Sequence, residues 1–139
     1  MTKQGGRFEK LKQSVDGLEH AMSFFKQAKK ERIYADAIMK NFEVCIEYAW
    51  KYFQQAAVEE GFEPASPKEA IKYAGRLGLI DDVEKWIGYL LDRNLSVHDY
   101  LGVSEEEYLK TIQSFFADVK KLIEYPSRGE KGRSKERKR

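Results

Sequence analysis

Cysteine, histidine and proline are scarce in this sequence, at one, two and three residues among 139. The single cysteine, Cys45, excludes an internal disulfide framework and suits a reducing compartment. One Cys with two His also falls short of a zinc cluster, so no metal or other cofactor is expected. Apolar runs are only a few residues long, whereas a bilayer span takes about 20. The opening MTKQGGRFEK lacks the apolar stretch of a secretory signal, and the expected location is cytoplasmic. Strand signals are missing as well. No stretch alternates with period two, and no Asn-Gly or Asp-Gly pair sits between alternating segments as a hairpin requires.

The residues present are those of a globular chain, 42% hydrophobic and 35% charged, with length for one domain and a real core. The net charge of +2 is unevenly spread. Residues 126–139, PSRGEKGRSKERKR, carry seven Lys/Arg against two Glu, a net of +5. The remaining 1–125 carry a net of −3. The basic segment has no large apolar residue and joins no core, so it reads as a disordered tail after a single domain over 1–125. Such a tail either aids solubility or attracts phosphates without reading sequence.

Apolar spacing places the helices. Phe8, Leu11, Val15, Leu18, Met22 and Phe25 form one stripe on a long first helix. Ile38, Phe42, Cys45, Ala49, Tyr52 and Ala56 form another, stopped by Gly61. Ser66, Pro67 and Glu69 supply an N-cap, a first-turn proline and a capping-box acid for a short third helix ending near Gly78. Val83, Trp86, Ile87, Leu90 and Leu91 mark a fourth. Ser104 with Glu107 is a second capping box, and Tyr108, Ile112, Phe115, Val119 and Leu122 follow on a fifth that Pro126 ends. The expected fold is all-α, an antiparallel up-and-down bundle of four to five helices. The aromatic-rich faces of Tyr48, Tyr52 and Phe53 and of Phe115 and Phe116 suit either the core or a homodimer contact.

One stretch, LLDRNLSVHDYLGVSEEE, is left over. At 100° per residue Asn94 falls near the middle of the stripe of Val83, Ile87 and Leu90, with Arg93 on its flank beyond Trp86. A buried amide must find partners. His98 lies one turn beyond Asn94 if the helix continues, and the side chains converge by folding back if it breaks at Ser96. The cluster is either a capped helix end with a satisfied histidine or a site. His20, the other histidine, lies off the apolar face of the first helix and reads as surface.

NFEVCIEYAWKYFQ, SPKEAIKYAGRLGLI and WIGYLLDRNLSVHDY occur in that order. Together, over roughly residues 8–124, they resemble the nucleotidyltransferase substrate-binding protein family within the HEPN superfamily, close to the HepT-type toxins. The resemblance rests on Phe42, Glu43, Glu47, Trp50 and Lys51, on Ser66-Pro67, and on Asp92-Arg93-Asn94 with His98 and Tyr100. It implies a dimeric helical partner of a minimal nucleotidyltransferase of the MNT type, a toxin–antitoxin pairing. It also implies metal-independent endoribonuclease chemistry through Arg93, Asn94 and His98, the Arg-x4-His signature. In the HepT-like branch the signature extends to Arg-x4-His-x-Tyr. The partner, using ATP, adenylylates that tyrosine and silences the toxin, and Tyr100 occupies the matching position. RNLSVHDY departs from a common RNLTSHTY form at Ser96, Val97 and Asp99, and Asp99 puts a negative charge between His98 and Tyr100.

The chemistry is consistent with these residue types. Attack of a ribose 2′-OH on the adjacent phosphate needs a base, an acid and positive charge at the pentavalent phosphorus. Histidine can serve as base or acid near neutrality, and arginine grips two phosphate oxygens through its planar fork. One His98 per chain does not easily perform both proton transfers, and a two-fold dimer would supply a second. The family's name implies another function, that of a non-catalytic module presenting a small molecule or nucleotide to the nucleotidyltransferase. Such a module needs a pocket, for which Trp50, Trp86 and nearby tyrosines are candidates, although tryptophans at these spacings also suit core or interface.

Overall fold

The computed structural model describes residues 3–99 and 105–124, with the backbone alone described for 3–5 and 94–99. Among them lie six helices and no strand: α1 (Lys3–Met22), α2 (Phe25–Ala28), α3 (Arg32–Glu59), α4 (Pro67–Arg76), α5 (Val83–Asp99) and α6 (Glu105–Glu124). The basic segment 126–139, Pro126 and Ser104 of the second capping box lie outside the described residues.

The first helix ends sooner than its apolar stripe suggests. Ser23 Oγ donates to the His20 carbonyl at 2.6 Å, and the Phe24 N–H turns back to Ala21 at 3.0 Å. A serine hydroxyl offering this local alternative competes with helix propagation. Phe25 therefore starts α2, a single turn, rather than extending α1. Leu11, Val15 and Leu18 are fully buried, while Phe8, Met22 and Phe25 pack at the core's margin.

The 28-residue α3 is the spine, and all six residues of its expected stripe are buried. It stops in a Schellman arrangement, with Phe62 N–H to the Ala57 carbonyl at 2.9 Å and Gly61 N–H to Val58 at 3.0 Å. That closure needs a left-handed residue, and Gly61 has φ +92°. The cap of α4 is a capping box in which Glu69 N–H donates to Ser66 Oγ at 3.1 Å. The Glu69 carboxylate reaches back to Ala65 N–H at 2.8 Å, one residue before the cap.

Cross-helix contacts fix the directions. Phe8 meets Tyr52 and Ser14 meets Cys45, so α1 runs antiparallel to α3. Phe53 meets Trp86 and Glu47 meets Arg93, so α5 is antiparallel to α3 as well. Lys85 meets Asp118 and Tyr89 meets Ser114, which sets α6 against α5 in the same sense. At the centre, Phe115 sits edge-on to Phe42, Trp86 and Tyr89 with ring centroids 5.1–5.5 Å apart. These T-shaped pairs add roughly 0.5–1.5 kcal/mol each beyond burial. Tyr52, Phe53, Phe115 and Trp86 are core residues, whereas Tyr48, Trp50 and Phe116 are partly exposed at its edge. No helix among the described residues is long and apolar enough to cross a membrane.

Candidate functional site

The N-terminus of α5 is set by Asp82, whose Oδ1 accepts from Lys85 N–H at 3.0 Å. From there Trp86, Ile87, Tyr89 and Leu90 turn inward, but Leu91 is 55% exposed. The expected stripe is thus rotated slightly. Tyr89 is buried in place of Leu91 because its hydroxyl finds partners on α6, donating to Asp118 Oδ2 at 2.5 Å and meeting Ser114 Oγ at 2.9 Å. Lys85 pairs with the same Asp118 oxygen at 3.2 Å. Burial, with Asp118 nearby, pushes the Tyr89 phenol above its ordinary value. This network clamps the first half of α5 to α6.

Arg93 follows one turn after the clamp. It reaches across to α3 and donates from Nη2 to Glu47 Oε1 at 3.2 Å, a contact between residues 46 positions apart. The other oxygen of Glu47 pairs with Lys51 Nζ at 3.7 Å. One carboxylate therefore holds two cations, and all three side chains are about one-third exposed. They line an open depression of about 230 Å³ with Lys40, Glu43, Val44 and Tyr48. The neighbouring Asp92 is half-buried, and loss of water raises its carboxyl above the usual range.

Helix α5 continues unbroken through Asp99, so the backbone does not fold back at Ser96. Position 98 lies about 140° around the helix from position 93, while position 94 lies about 40° from 98. Of the expected site residues, Arg93 is described with its side chain. The side chains of Asn94 and His98, and all of Tyr100, lie outside the described residues. His20 is exposed on α1, edge-on to Phe24 at 5.6 Å. No group of three or more His, Cys, Asp or Glu side chains placed to hold a metal occurs among the described residues.

Glu47 and Lys51, which carry the family resemblance in the sequence without a role attached, belong to this cluster. A second signal is the polar stripe on α3, Lys40, Glu43, Glu47 and Lys51, at three- and four-residue steps away from the buried face.

The helices define a class of fold, an all-α antiparallel bundle that solved structures share. The chain superposes on the tri-AMPylated HEPN toxin of Shewanella oneidensis in complex with MNT antitoxin, with a TM-score of 0.75 at 16% identity, covering 91% of this chain and 98% of that one. A chain of a mutant MntA–HpeT toxin–antitoxin structure matches with a TM-score of 0.73 at 16% identity, over 89% of this chain and 96% of that one. A protein of Thermus thermophilus is 32% identical, with a TM-score of 0.54 over 77% of this chain and 92% of its own. Residues 6–126 match the model of the family described as nucleotidyltransferase substrate binding protein like, and the chain belongs to that family. No protein of curated function matches the sequence.

Proposed function

We propose that the chain is the toxin-type partner of an MNT-type minimal nucleotidyltransferase. In this reading it acts as a homodimer, cleaves RNA without a metal through Arg93, Asn94 and His98, and is silenced when its partner transfers AMP to Tyr100. The observation that carries the reading is Arg93, which stands at the signature position and is tied by Glu47 at the rim of an open depression. The likeness of the fold to toxins held by MNT-type antitoxins supports the choice of partner. The domain is taken as 1–125, with 126–139 a basic tail.

The proposed chemistry conserves atoms and protons. A ribose 2′-OH loses its proton to one His98 and attacks the adjacent phosphorus. The 5′-oxygen leaves with a proton from a second His98, and a 2′,3′-cyclic phosphate remains. Arg93 stabilises the extra negative charge on the pentavalent phosphorus. Along a continuous α5, positions 93 and 98 face well apart, which favours a cleft completed by a second copy over a single-chain site. Leu91, exposed on that same helix, supplies apolar surface for such a contact. In silencing, the Tyr100 hydroxyl attacks the α-phosphorus of ATP and pyrophosphate departs. The new phosphodiester carries a negative charge that competes for Arg93.

RNA cleavage in EDTA, lost in folded Arg93→Ala and His98→Ala variants, is the expected result. Cleavage surviving both substitutions would remove the nuclease assignment. Incubation with the nucleotidyltransferase encoded beside this chain and ATP should add AMP to Tyr100, detectable by mass, and an unmodified Tyr100 would remove the partner assignment.

A second reading, a non-catalytic module presenting a small molecule to the nucleotidyltransferase, draws on a different place. A hollow of about 480 Å³ opens between α2 and the start of α6, floored by Phe25, Ala28 and Leu109. That is within the size range of ligand pockets. Trp86, an expected pocket residue, is instead 3% exposed in the core. Calorimetry with nucleotides, showing saturable heat, would favour this reading.

A further inference from the structure

Glu47 spans two helices and two cations, an arrangement that a simple surface ion pair does not require. Its oxygens receive Arg93 Nη2 from α5 at 3.2 Å and Lys51 Nζ from α3 at 3.7 Å. A carboxylate presents two oxygens on one carbon much as a phosphodiester presents two on phosphorus. Donors spaced for one are therefore spaced for the other. Both cations line the same open depression, where an anion can approach.

We propose that Glu47 is a positioning residue that holds Arg93 and Lys51 side by side, making Lys51 a second phosphate-gripping residue for one phosphodiester of a single-stranded RNA. This rests on the ribonuclease reading above and names two of its parts. Arg93 contributes the planar fork and Lys51 a compact point charge, and Glu47 keeps both near the anion before it arrives. Without the carboxylate each long side chain samples many rotamers, and the two cations act independently.

The test is binding of a short, fully 2′-O-methylated single-stranded RNA, which has no 2′-OH to attack, measured by fluorescence anisotropy over a range of salt. Lys51→Gln should flatten the log–log salt dependence by about 0.7, the increment for one phosphate contact on a single strand. Lys68→Gln, an exposed site on α4 away from the depression, should leave the slope unchanged. Arg93→Gln and Lys51→Gln should be coupled in the otherwise native protein, the double variant losing less than the product of the two single fold-losses. In the Glu47→Gln background the same losses should multiply. A wild-type slope in Lys51→Gln, or coupling that persists without the Glu47 carboxylate, would overturn the inference while leaving the ribonuclease reading in place. A wild-type protein that does not bind the RNA at all would remove both.

Discussion

Tyr89 and Asp118 are joined by a 2.5 Å hydrogen bond that fastens α5 to α6 one turn ahead of Arg93. Replacing Tyr89 by Phe keeps the ring but removes the hydroxyl that also meets Ser114. Asp118 retains Lys85, so the carboxylate is not stranded. The expected cost is about 1–2 kcal/mol, read as a lower urea midpoint with unchanged m-value.

Glu47→Gln should change stability by less than about 1 kcal/mol, because its two ion pairs are a third exposed and screened by water and salt. The same urea titration measures this. A loss of several kcal/mol would mean that the cluster serves the fold rather than the site.

Gly75 lies where α4 meets the start of α5, and a Cβ there would collide with Val83 Cγ2. Valine is stiff at χ1 and yields poorly. Although alanine favours helix by about 1 kcal/mol over glycine, Gly75→Ala should be a net destabilisation of about 1–2 kcal/mol. Adding Val83→Ala should recover part of it, and thermal melts of the single and double variants test this directly.

Burial pushes the Cys45 thiol up from 9.0 to about 12, with its hydrogen-bond contact to the Ser14 side chain opposing in part. The folded chain therefore holds its proton where the unfolded chain has released it. Stability from this group is intact below about pH 9 and is lost as pH rises toward 12. The slope between them is about 1.4 kcal/mol per pH unit. Tyr89 adds a loss of the same sign from its raised phenol. Urea titrations at stepped alkaline pH should show a shallower decline for Cys45→Ala than for the native sequence.

The parts of this fold that the sequence makes legible are governed by neighbouring residues. The α3 stripe, the Ser66–Glu69 cap and the glycine stops depend on spacings of three to five positions, and the structure has all of them. The break after Met22 is harder to see because a single serine hydroxyl redirects an otherwise continuous stripe. Tyr89 displaces Leu91 from the buried face for a tertiary reason, since its partners Ser114 and Asp118 arrive from another helix. The same holds at the candidate site. Arg93 is conspicuous in sequence, whereas Glu47 becomes its partner only when α3 and α5 are laid side by side.

The sole thiol of the chain sits at 0% exposure between α1 and α3. An alkylating reagent cannot reach it while these two helices remain packed, so the native protein carries a built-in probe of its own opening. The rate at which that sulfur is capped would time the separation of the two helices, without any engineered label.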